Sequence, residues 1–223
     1  MELLSSDELK GKKILVTAGP TYESIDPVRY IGNHSSGKMG YDIAEALAHK
    51  GAEVLLISGP SALTVAHSSI RVERIVTAEQ LLKVVQTNWN QMDGGIFSAA
   101  VADYRPKDVA PEKIKKKEEE LTLHLVKNPD VLQWAGAHKQ VHQLLVGFAL
   151  ETNNSIENGK GKLERKNLDF IVINQPETGK TGFGADTNKI TLLDNHNKLT
   201  KFELKSKKQV ANDIVEYYIN YKK

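Results

Sequence analysis

Short runs of aliphatic and β-branched residues alternate along this chain with segments in which apolar residues recur every three or four positions. The apolar runs are continuous rather than alternating, which is typical of parallel strands that are buried on both faces. These runs predict strands at residues 13–17, 53–58, 94–100, 144–150 and 169–174. The amphipathic segments between them predict helices at residues 41–50, 78–91, 129–138 and 155–167.

The C-terminal part of the chain breaks this alternation. Two strand patterns, residues 190–194 and 199–204, flank the turn-like sequence NHNK, and an amphipathic segment follows at residues 207–221. The whole pattern predicts an α/β fold, a Rossmann-like, doubly wound and mostly parallel sheet that ends in a C-terminal β-hairpin and helix. We expect residues 12–223 to form a single domain and residues 1–11 to be a leader or interdomain linker.

The composition excludes several classes of protein. The 223 residues are 40% hydrophobic and 26% charged, which suits one large domain with a substantial core. A net charge of +2 and a pI near 8.5 are too mild for a typical nucleic-acid-binding surface. The chain has no cysteine, so disulfides and thiolate nucleophiles are excluded. With no apolar run near the ~18 residues of a membrane span and no signal-peptide pattern, we expect a cytoplasmic protein that binds neither membrane nor nucleic acid.

The connection between the first strand and the first helix carries unusual chemistry. It runs to roughly twenty residues, whereas such connections commonly have 2–6. Its end, with Asn33, Ser35 and Ser36 directly before the helix, offers two hydroxyls, free backbone N–H groups and the positive end of the helix dipole. This arrangement predicts an anion-binding loop. The glycines do not have the spacing of the dinucleotide-binding fingerprint.

Ligands of doubly wound folds bind beyond the C-terminal ends of the strands. This rule predicts that four segments share one rim, namely residues 18–37, 99–104, 148–152 and 174–186. On that rim, the Asp103 carboxylate could accept hydrogen bonds from a base or a ribose, or lie beside a metal; the alternative is a turn or N-cap residue. The ring of Phe148 could stack on a nucleobase, and the alternative is an ordinary core aromatic.

Two lysine-rich segments add positive charge to this rim. Residues 107–120 contain proline and four lysines between positions 113 and 117, which predicts a mobile lid that brings Lys113 onto a polyphosphate. The alternative is a solvated charged helix or turn. Lys162 and Lys166 lie one helical turn apart, where two cations repel each other unless they share an anion. The alternative for this pair is a solvated helix face.

Taken in order and spacing, six motifs of the chain resemble phosphopantothenoylcysteine synthetase, the CTP-dependent bacterial enzyme of coenzyme A biosynthesis. The motifs are TAGPTYESIDPVRYIGNHSSGKMG, SAAVADYRP, EKIKKK, KNPDVL, VGFALET and RKNLDFIVIN. The resemblance extends from about Lys12 to the C-terminal helix. Leu150 departs from the family pattern, since it stands where an alanine is common.

The resemblance implies a two-step ligation with three small-molecule substrates. The carboxylate of 4′-phosphopantothenate attacks the α-phosphate of CTP, which gives an acyl cytidylate and pyrophosphate. The amine of L-cysteine then attacks the acyl carbon and releases CMP. The resemblance further implies CTP as co-substrate, Mg²⁺ as cofactor, a homodimer, and in many bacteria a fused flavin-dependent decarboxylase.

The resemblance also implies roles for individual residues. Asn33 and Lys113 match catalytic positions, and Asn33 would hydrogen-bond the acyl cytidylate and the oxyanion formed during amine attack. The nucleotide-binding positions are Ala99, Asp103, Lys113, Phe148, Lys162 and Lys166. The phosphopantothenate side is matched by Arg29, Gly32, Asn33 and Ser36. No residues stand out as metal ligands.

Three other functions stay open at this stage. The ATP-using eukaryotic form of the same ligase is one, although the arrangement of ADYRP and EKIKKK favours CTP. A Rossmann-type NAD(P) oxidoreductase shares the fold class, although the chain has Ser58, Gly59 and Pro60 where an acidic ribose-binding residue usually follows the second strand. A non-catalytic nucleotide-sensing module would need neither Asn33 nor a lysine lid.

Overall fold

The computed structural model describes residues 6–115, 120–150, 154–174 and 186–221. Its helices are α1 (Lys38–His49), α2 (Ala78–Asn88), α3 (Val131–Ala137), α4 (Ser155–Arg165) and α5 (Lys207–Asn220), with a 3₁₀ turn at Trp89–Gln91. Its strands are β1 (Lys13–Ala18), β2 (Tyr22–Ser24), β3 (Tyr30–Gly32), β4 (Glu53–Ser58), β5 (Ile70–Arg74), β6 (Gly94–Phe97), β7 (Tyr104–Pro106), β8 (Leu125–Lys127), β9 (Leu144–Leu150), β10 (Phe170–Asn174), β11 (Thr187–Asn188), β12 (Ile190–Asp194), β13 (Leu199–Lys201) and β14 (Lys205–Ser206).

Eight of these strands form one central sheet in the order β13-β12-β10-β9-β6-β1-β4-β5. The six strands from β10 to β5 are parallel, and β12 and β13 add an antiparallel edge. The fold class predicted from the sequence is therefore confirmed. The chain passes from β1 to β4 and β5 on one side and then to β6 and β9 on the other, so the strand order reverses beside β1. The loops that follow β1 and β6 run side by side there, because the N–H of Ala100 donates to the carbonyl of Gly19 over 2.9 Å and Pro20 pairs with Ala100.

The core consists of two apolar layers, one on each face of the sheet. Alternate residues of β1 point into opposite layers, with Val16 packed beside α1 and α5 and Leu15 packed beside α2, α3 and α4. Both residues are fully buried, as are Trp89 and Phe170, the largest side chains of the interior. Burial on both faces explains why these strands have continuous apolar sequences.

Three of the helices begin with a side-chain cap. Thr77 at α2 and Ser206 at α5 each form a capping box, and Asp130 at α3 accepts a hydrogen bond from the backbone N–H of Gln133. Helix α1 differs, because its N-cap is Gly37, which has a φ of 84° and supplies no capping side chain. The first backbone N–H of α1, that of Lys38, donates instead to Ser36 Oγ over 3.4 Å.

The structure differs from the sequence prediction in several elements. The strand predicted at 94–100 ends at Phe97, because the next N–H groups turn toward β1 and that of Ala99 donates to Thr17 Oγ1 over 3.2 Å. Strand β5 and the two short hairpins, β2–β3 and β7–β8, were not predicted. Helix α1 begins at Lys38, before the predicted start at 41.

Residues 6–11, which the sequence assigns to a leader or linker, lie against the end of α1. Leu9 is buried there, and its N–H donates to the carbonyl of Lys50 over 2.8 Å. In the described ranges, no helix is both long enough and apolar enough to cross a membrane.

Candidate functional site

A cavity of about 550 Å³ lies at the C-terminal ends of β6 and β9. We call it the larger cavity, because a smaller one adjoins it. Its walls bring together residues that are far apart in the sequence, among them five of the predicted nucleotide-binding positions: Ala99, Asp103, Phe148, Lys162 and Lys166. The rule that ligands bind beyond the C-terminal ends of the strands and the spacing of the two lysines thus indicate the same cavity.

Lys162 of α4 and Lys166, the C-cap of this helix, are held in place by the walls of this cavity. Lys162 Nζ donates to the carbonyl of Phe148 over 2.7 Å, and Lys166 Nζ lies 2.8 Å from Asp130 Oδ2. The Lys166 side chain is only 11% exposed, so its ammonium group occupies a defined position. Because they lie one turn apart on α4, both ammonium groups reach the same wall of the cavity.

Asp130 has two roles at this wall, since it caps α3 and pairs with Lys166. Burial raises the pKa of the Asp130 carboxyl, but hydrogen bonds from the Lys166 ammonium and the Gln133 amide lower it by more, and the net direction is downward. The carboxylate therefore stays ionised at neutral pH. Sequence reasoning missed Asp130 as a site residue, although the sequence NPDVL before a helical pattern carries the signal of an N-cap.

The segment that carries Ala99 and Asp103 is fixed from two sides. Thr21 Oγ1 accepts a hydrogen bond from the N–H of Ala102 over 3.0 Å. Asn128 donates from its Nδ2 to the carbonyl of Ala102 over 2.8 Å and from its backbone N–H to the carbonyl of Asp103 over 2.9 Å. These bonds hold the backbone while the Asp103 side chain is left exposed to the cavity. Asn128 is a second residue that the sequence did not reveal.

A smaller cavity of about 170 Å³ lies between the start of α1 and the end of β9. It contains Ser36 and the first turn of α1, and it shares Phe148 and Ala99 with the larger cavity. A side chain at position 37 would bring its Cβ to 3.1 Å from the backbone nitrogen of Gly19, and the left-handed φ also favours glycine. Glycine therefore lets two backbone segments approach each other at this cavity.

Three further polar residues line the smaller cavity: Asn174, Asn188 and Lys207. Lys207 is only 7% exposed, and burial, together with the nearby charge of Lys38, lowers the pKa of its ammonium group. The Oδ1 atom of Asn174 is buried, and no described residue offers it a hydrogen bond. The sequence placed Asn174 on the rim but gave no signal for Lys207, because the first turn of a helix is an unusual place for a buried lysine.

Asn33 lies outside both cavities, at the end of the β2–β3 hairpin. Its Nδ2 donates to the carbonyls of Ala100 and Val101 over 3.0 and 3.2 Å. Gly32 lies beside it, opposite Tyr22 in the hairpin. Asn33 thus joins the loop predicted to bind an anion to the segment that forms the wall of the larger cavity.

Arg29 and Lys113 lie close together beside the same hairpin. Arg29 pairs with Asp26 and donates from Nη2 to the carbonyl of Ile114 over 3.0 Å. Lys113 is exposed and precedes Ile114 directly. The structure therefore groups the predicted site residues in two sets, the cavity residues with Ser36 and the hairpin residues with Lys113. Residues 116–119 of the predicted lid, and 151–152 and 175–185 of the predicted rim, lie outside the described residues.

Within the described ranges, no three histidine, aspartate or glutamate side chains come together as they would to hold a metal ion. Mg²⁺ is bound by oxygen ligands, chiefly carboxylates, water and phosphates. The described residues therefore do not fit a resident magnesium site built from protein ligands alone.

Comparison with known proteins identifies relatives over nearly the whole chain. A family model described as the DNA/pantothenate metabolism flavoprotein C-terminal domain matches residues 9–221. The coenzyme A biosynthesis bifunctional protein CoaBC of Haemophilus influenzae is 45% identical over 214 residues, which cover 95% of this chain and 52% of the relative. A protein named cysteine/cysteine sulfinic acid decarboxylase, from an unknown prokaryotic organism, is 42% identical over 212 residues, 95% of this chain and 59% of the relative.

A solved structure of the C-terminal domain of a CoaBC protein superposes with a TM-score of 0.81 at 39% identity and covers 96% of this chain and 97% of that one. The chain spans about half the length of the curated relatives it matches. The family resemblance predicted from the six motifs is confirmed, and the chain belongs to the DNA/pantothenate metabolism flavoprotein C-terminal domain family.

Proposed function

We propose that this chain joins 4′-phosphopantothenate to L-cysteine at the expense of CTP. A carboxylate oxygen of 4′-phosphopantothenate attacks the α-phosphorus, the bond to the β-phosphate breaks, and pyrophosphate leaves. The cysteine amine then attacks the acyl carbon of the acyl cytidylate, loses a proton, and expels CMP. The observation that carries this proposal is the larger cavity, which combines an aromatic ring, a carboxylate and two cations at the end of a parallel sheet.

The cavity residues suit the nucleotide. The Phe148 ring offers a face on which a base can stack, and the Asp103 carboxylate can accept a hydrogen bond from an exocyclic amino group. The backbone at Ala99 lies between the two cavities and would contact the same cytidine. Lys162 and Lys166 would neutralise the triphosphate, whose pyrophosphate leaving group gains stability from nearby cations.

The hairpin residues suit the acyl transfer. The amide N–H₂ of Asn33 would release the carbonyl of Ala100 or Val101 and donate to the carbonyl oxygen that becomes an oxyanion when the amine attacks. Arg29, Gly32 and Ser36 would hold 4′-phosphopantothenate, and Lys113 would add a positive charge next to the phosphates. The protein need not form a covalent bond to the substrate, because the acyl cytidylate already contains a good leaving group.

We further propose that Mg²⁺ enters the site bound to CTP. The described carboxylates do not form a cage for the ion, whereas triphosphate oxygens are ordinary Mg²⁺ ligands. The metal is then part of the nucleotide substrate.

The bifunctional relatives also support the proposal that the whole protein carries a flavin-dependent decarboxylase. The mass of the protein isolated from its source would test this proposal.

We also propose that the chain forms a homodimer through the face that carries β2–β3 and β7–β8. Exposed apolar side chains gather on these hairpins and the segments that join their strands, namely Val28, Tyr30, Tyr104, Val109, Leu121 and Leu125. Analytical ultracentrifugation should find a dimer, and Val109→Asp should weaken it. Val141→Asp, at an exposed valine elsewhere, is the matched control. A monomeric wild-type chain at micromolar concentration would contradict the proposal.

The proposed reaction predicts CTP-dependent pyrophosphate release. The assay contains 4′-phosphopantothenate, Mg²⁺ and either CTP or ATP, with and without L-cysteine. We expect release with CTP, and sustained turnover only when cysteine is present. Release with ATP alone would identify the ATP-using form of the ligase, and no release with either nucleotide would refute the ligase function.

One pair of variants tests the larger cavity in the same assay. Lys166→Gln removes the cation but can still hydrogen-bond Asp130, and because a bond to a charged group is worth about 1.5–3 kcal/mol, we expect KM for CTP to rise about tenfold or more. Lys160→Gln, at an exposed position on the same helix, should behave as wild type. Equal effects of the two substitutions would show that the cavity is not the nucleotide site.

A further inference from the structure

Asp26 lies in the turn that joins β2 to β3 and is only 2% exposed. Its two carboxylate oxygens accept different hydrogen bonds. Oδ1 closes the turn of the hairpin, because it accepts hydrogen bonds from the backbone N–H groups of Val28 and Arg29, each over 2.8 Å. Oδ2 faces away from the turn and accepts from Arg29 Nε over 3.0 Å, from Arg29 Nη2, and from the N–H of Ile114 over 3.1 Å.

Ile114 is therefore held by both of its backbone polar groups. Its N–H donates to Asp26, and its carbonyl accepts from Arg29 Nη2 over 3.0 Å, across 85 positions of sequence. A third bond, from the N–H of Ala110 to the carbonyl of Ile25 over 3.0 Å, fixes the same segment to the hairpin. The position of the backbone next to Lys113 thus depends on the Asp26–Arg29 ion pair.

The same contacts orient the guanidinium of Arg29. An arginine side chain has five N–H donors in a planar fork. The N–H on Nε and one N–H on Nη2 donate to Asp26, and the other N–H on Nη2 donates to the carbonyl of Ile114. The two on Nη1 have no hydrogen-bond partner among the described residues and are left for a ligand, and the Arg29 side chain is 41% exposed. An N–H donor of a charged guanidinium is suited to an oxygen of a phosphate or carboxylate.

The Asp26 carboxyl is ionised at neutral pH. The Arg29 guanidinium, followed by the backbone N–H groups of Val28, Ile114 and Arg29, holds the pKa of the carboxyl well below its usual range, although burial opposes this. The ion pair therefore persists throughout the neutral pH range and can act as a fixed support.

Resting on the proposed ligase function, we propose that Asp26 is a positioning residue for 4′-phosphopantothenate. Asp26 orients Arg29 so that the Nη1 edge meets the anionic substrate, and it fixes the backbone beside Lys113 at the same point. The carboxylate acts through these two cations and touches no substrate. Loss of Asp26 should therefore weaken the use of 4′-phosphopantothenate most. It should affect the nucleotide only through Lys113, because the larger cavity does not include Asp26.

The test compares Asp26→Asn with two other variants. Asparagine keeps Oδ1, and with it the turn, but places an N–H₂ group where Oδ2 accepted from Arg29 and Ile114. Asp26→Glu keeps the charge and should restore part of the function. Asp7→Asn is the matched control, because it removes an exposed pair with Lys10 that has the same spacing of three residues. Thermal unfolding checks that each variant is folded.

Three measurements are made on each variant: KM for both substrates, the affinity for 4′-phosphopantothenate by calorimetry, and hydrogen exchange at the Ile114 amide. For Asp26→Asn we expect faster exchange, and a rise of about tenfold or more in KM and Kd for 4′-phosphopantothenate, since a misplaced binding group commonly costs this much. KM for CTP should rise less than KM for 4′-phosphopantothenate, because Lys113 is the one proposed nucleotide contact that depends on Asp26. Asp7→Asn should match wild type in all three.

The outcomes separate this inference from the ligase function. Unchanged 4′-phosphopantothenate binding in Asp26→Asn, or equal weakening of both substrates, would refute the positioning role. A wild-type chain that binds 4′-phosphopantothenate but releases no pyrophosphate with any nucleotide would refute the ligase function alone, and the effect of Asp26→Asn on binding would still decide the inference. A wild-type chain that does not bind 4′-phosphopantothenate would refute both.

Discussion

Asn33→Ala is expected to lower the turnover number for CMP formation by about 10²–10³, because a single donor to a developing oxyanion contributes that much to the rate. The loss should appear in turnover rather than in KM for CTP, since Asn33 lies outside both cavities. Its Nδ2 group lies against the carbonyls of Ala100 and Val101, at the boundary between the hairpin and the larger cavity. Steady-state kinetics of CMP release at saturating CTP measures the effect.

Two variants make this test specific. Asn220→Ala removes a similar bond, from Nδ2 to the carbonyl of Glu216 over 2.8 Å, far from the site, and should leave turnover unchanged. Asn33→Asp keeps the size of the side chain but not its N–H donors, and should be as impaired as Asn33→Ala. Full turnover in Asn33→Asp would exclude an essential donor at this position.

Gly136→Ala is expected to destabilise the protein by about 1–3 kcal/mol, the usual cost of forcing an extra carbon into a packed interior. A Cβ at position 136 would lie 1.9 Å from the carbonyl oxygen of Lys166, and backbone must move to accommodate it. The shift would pull Lys166 away from Asp130, so KM for CTP should rise as well. Chemical unfolding and the pyrophosphate assay measure the two effects.

Gly161→Ala is the matched control for this prediction. Position 161 lies inside α4 with nothing within 4 Å of a Cβ. Alanine is the better helix former there, so this variant should gain up to about 1 kcal/mol of stability and keep its KM for CTP. If Gly136→Ala were as stable as Gly161→Ala, the contact between α3 and the end of α4 would not be as close as the structure describes.

The strands at the centre of the sheet could be predicted from the sequence, and the peripheral ones could not. In β1 and β4 every residue after the first is buried, so the apolar run is continuous. Strand β5 forms the edge of the sheet, and its sequence alternates Ile70 and Val72 with charged residues. Such a pattern carries little signal over five residues, and the three-residue strands of the hairpins carry less.

For the candidate site, the sequence indicated which charged side chains lie near one another on a helix, but not the residues with which they pair. The spacing of Lys162 and Lys166 was visible, because positions four apart share a helix face. The contact of Lys166 with Asp130 depends on how α3 packs against α4, and these two residues are 36 positions apart. The Asp26–Arg29–Ile114 contacts span a longer separation still. Such pairings follow from the tertiary fold, which local patterns do not encode.

The internal partners of Lys162 and Lys166 have a consequence for the thermodynamics of ligand binding. A lysine side chain that becomes fixed loses roughly 1.5–2 kcal/mol of rotamer entropy. Because Phe148 and Asp130 already hold these ammonium groups in place, most of that entropy is lost when the chain folds. An arriving polyphosphate then meets cations that are already ordered, and the entropic penalty of association falls by the same amount.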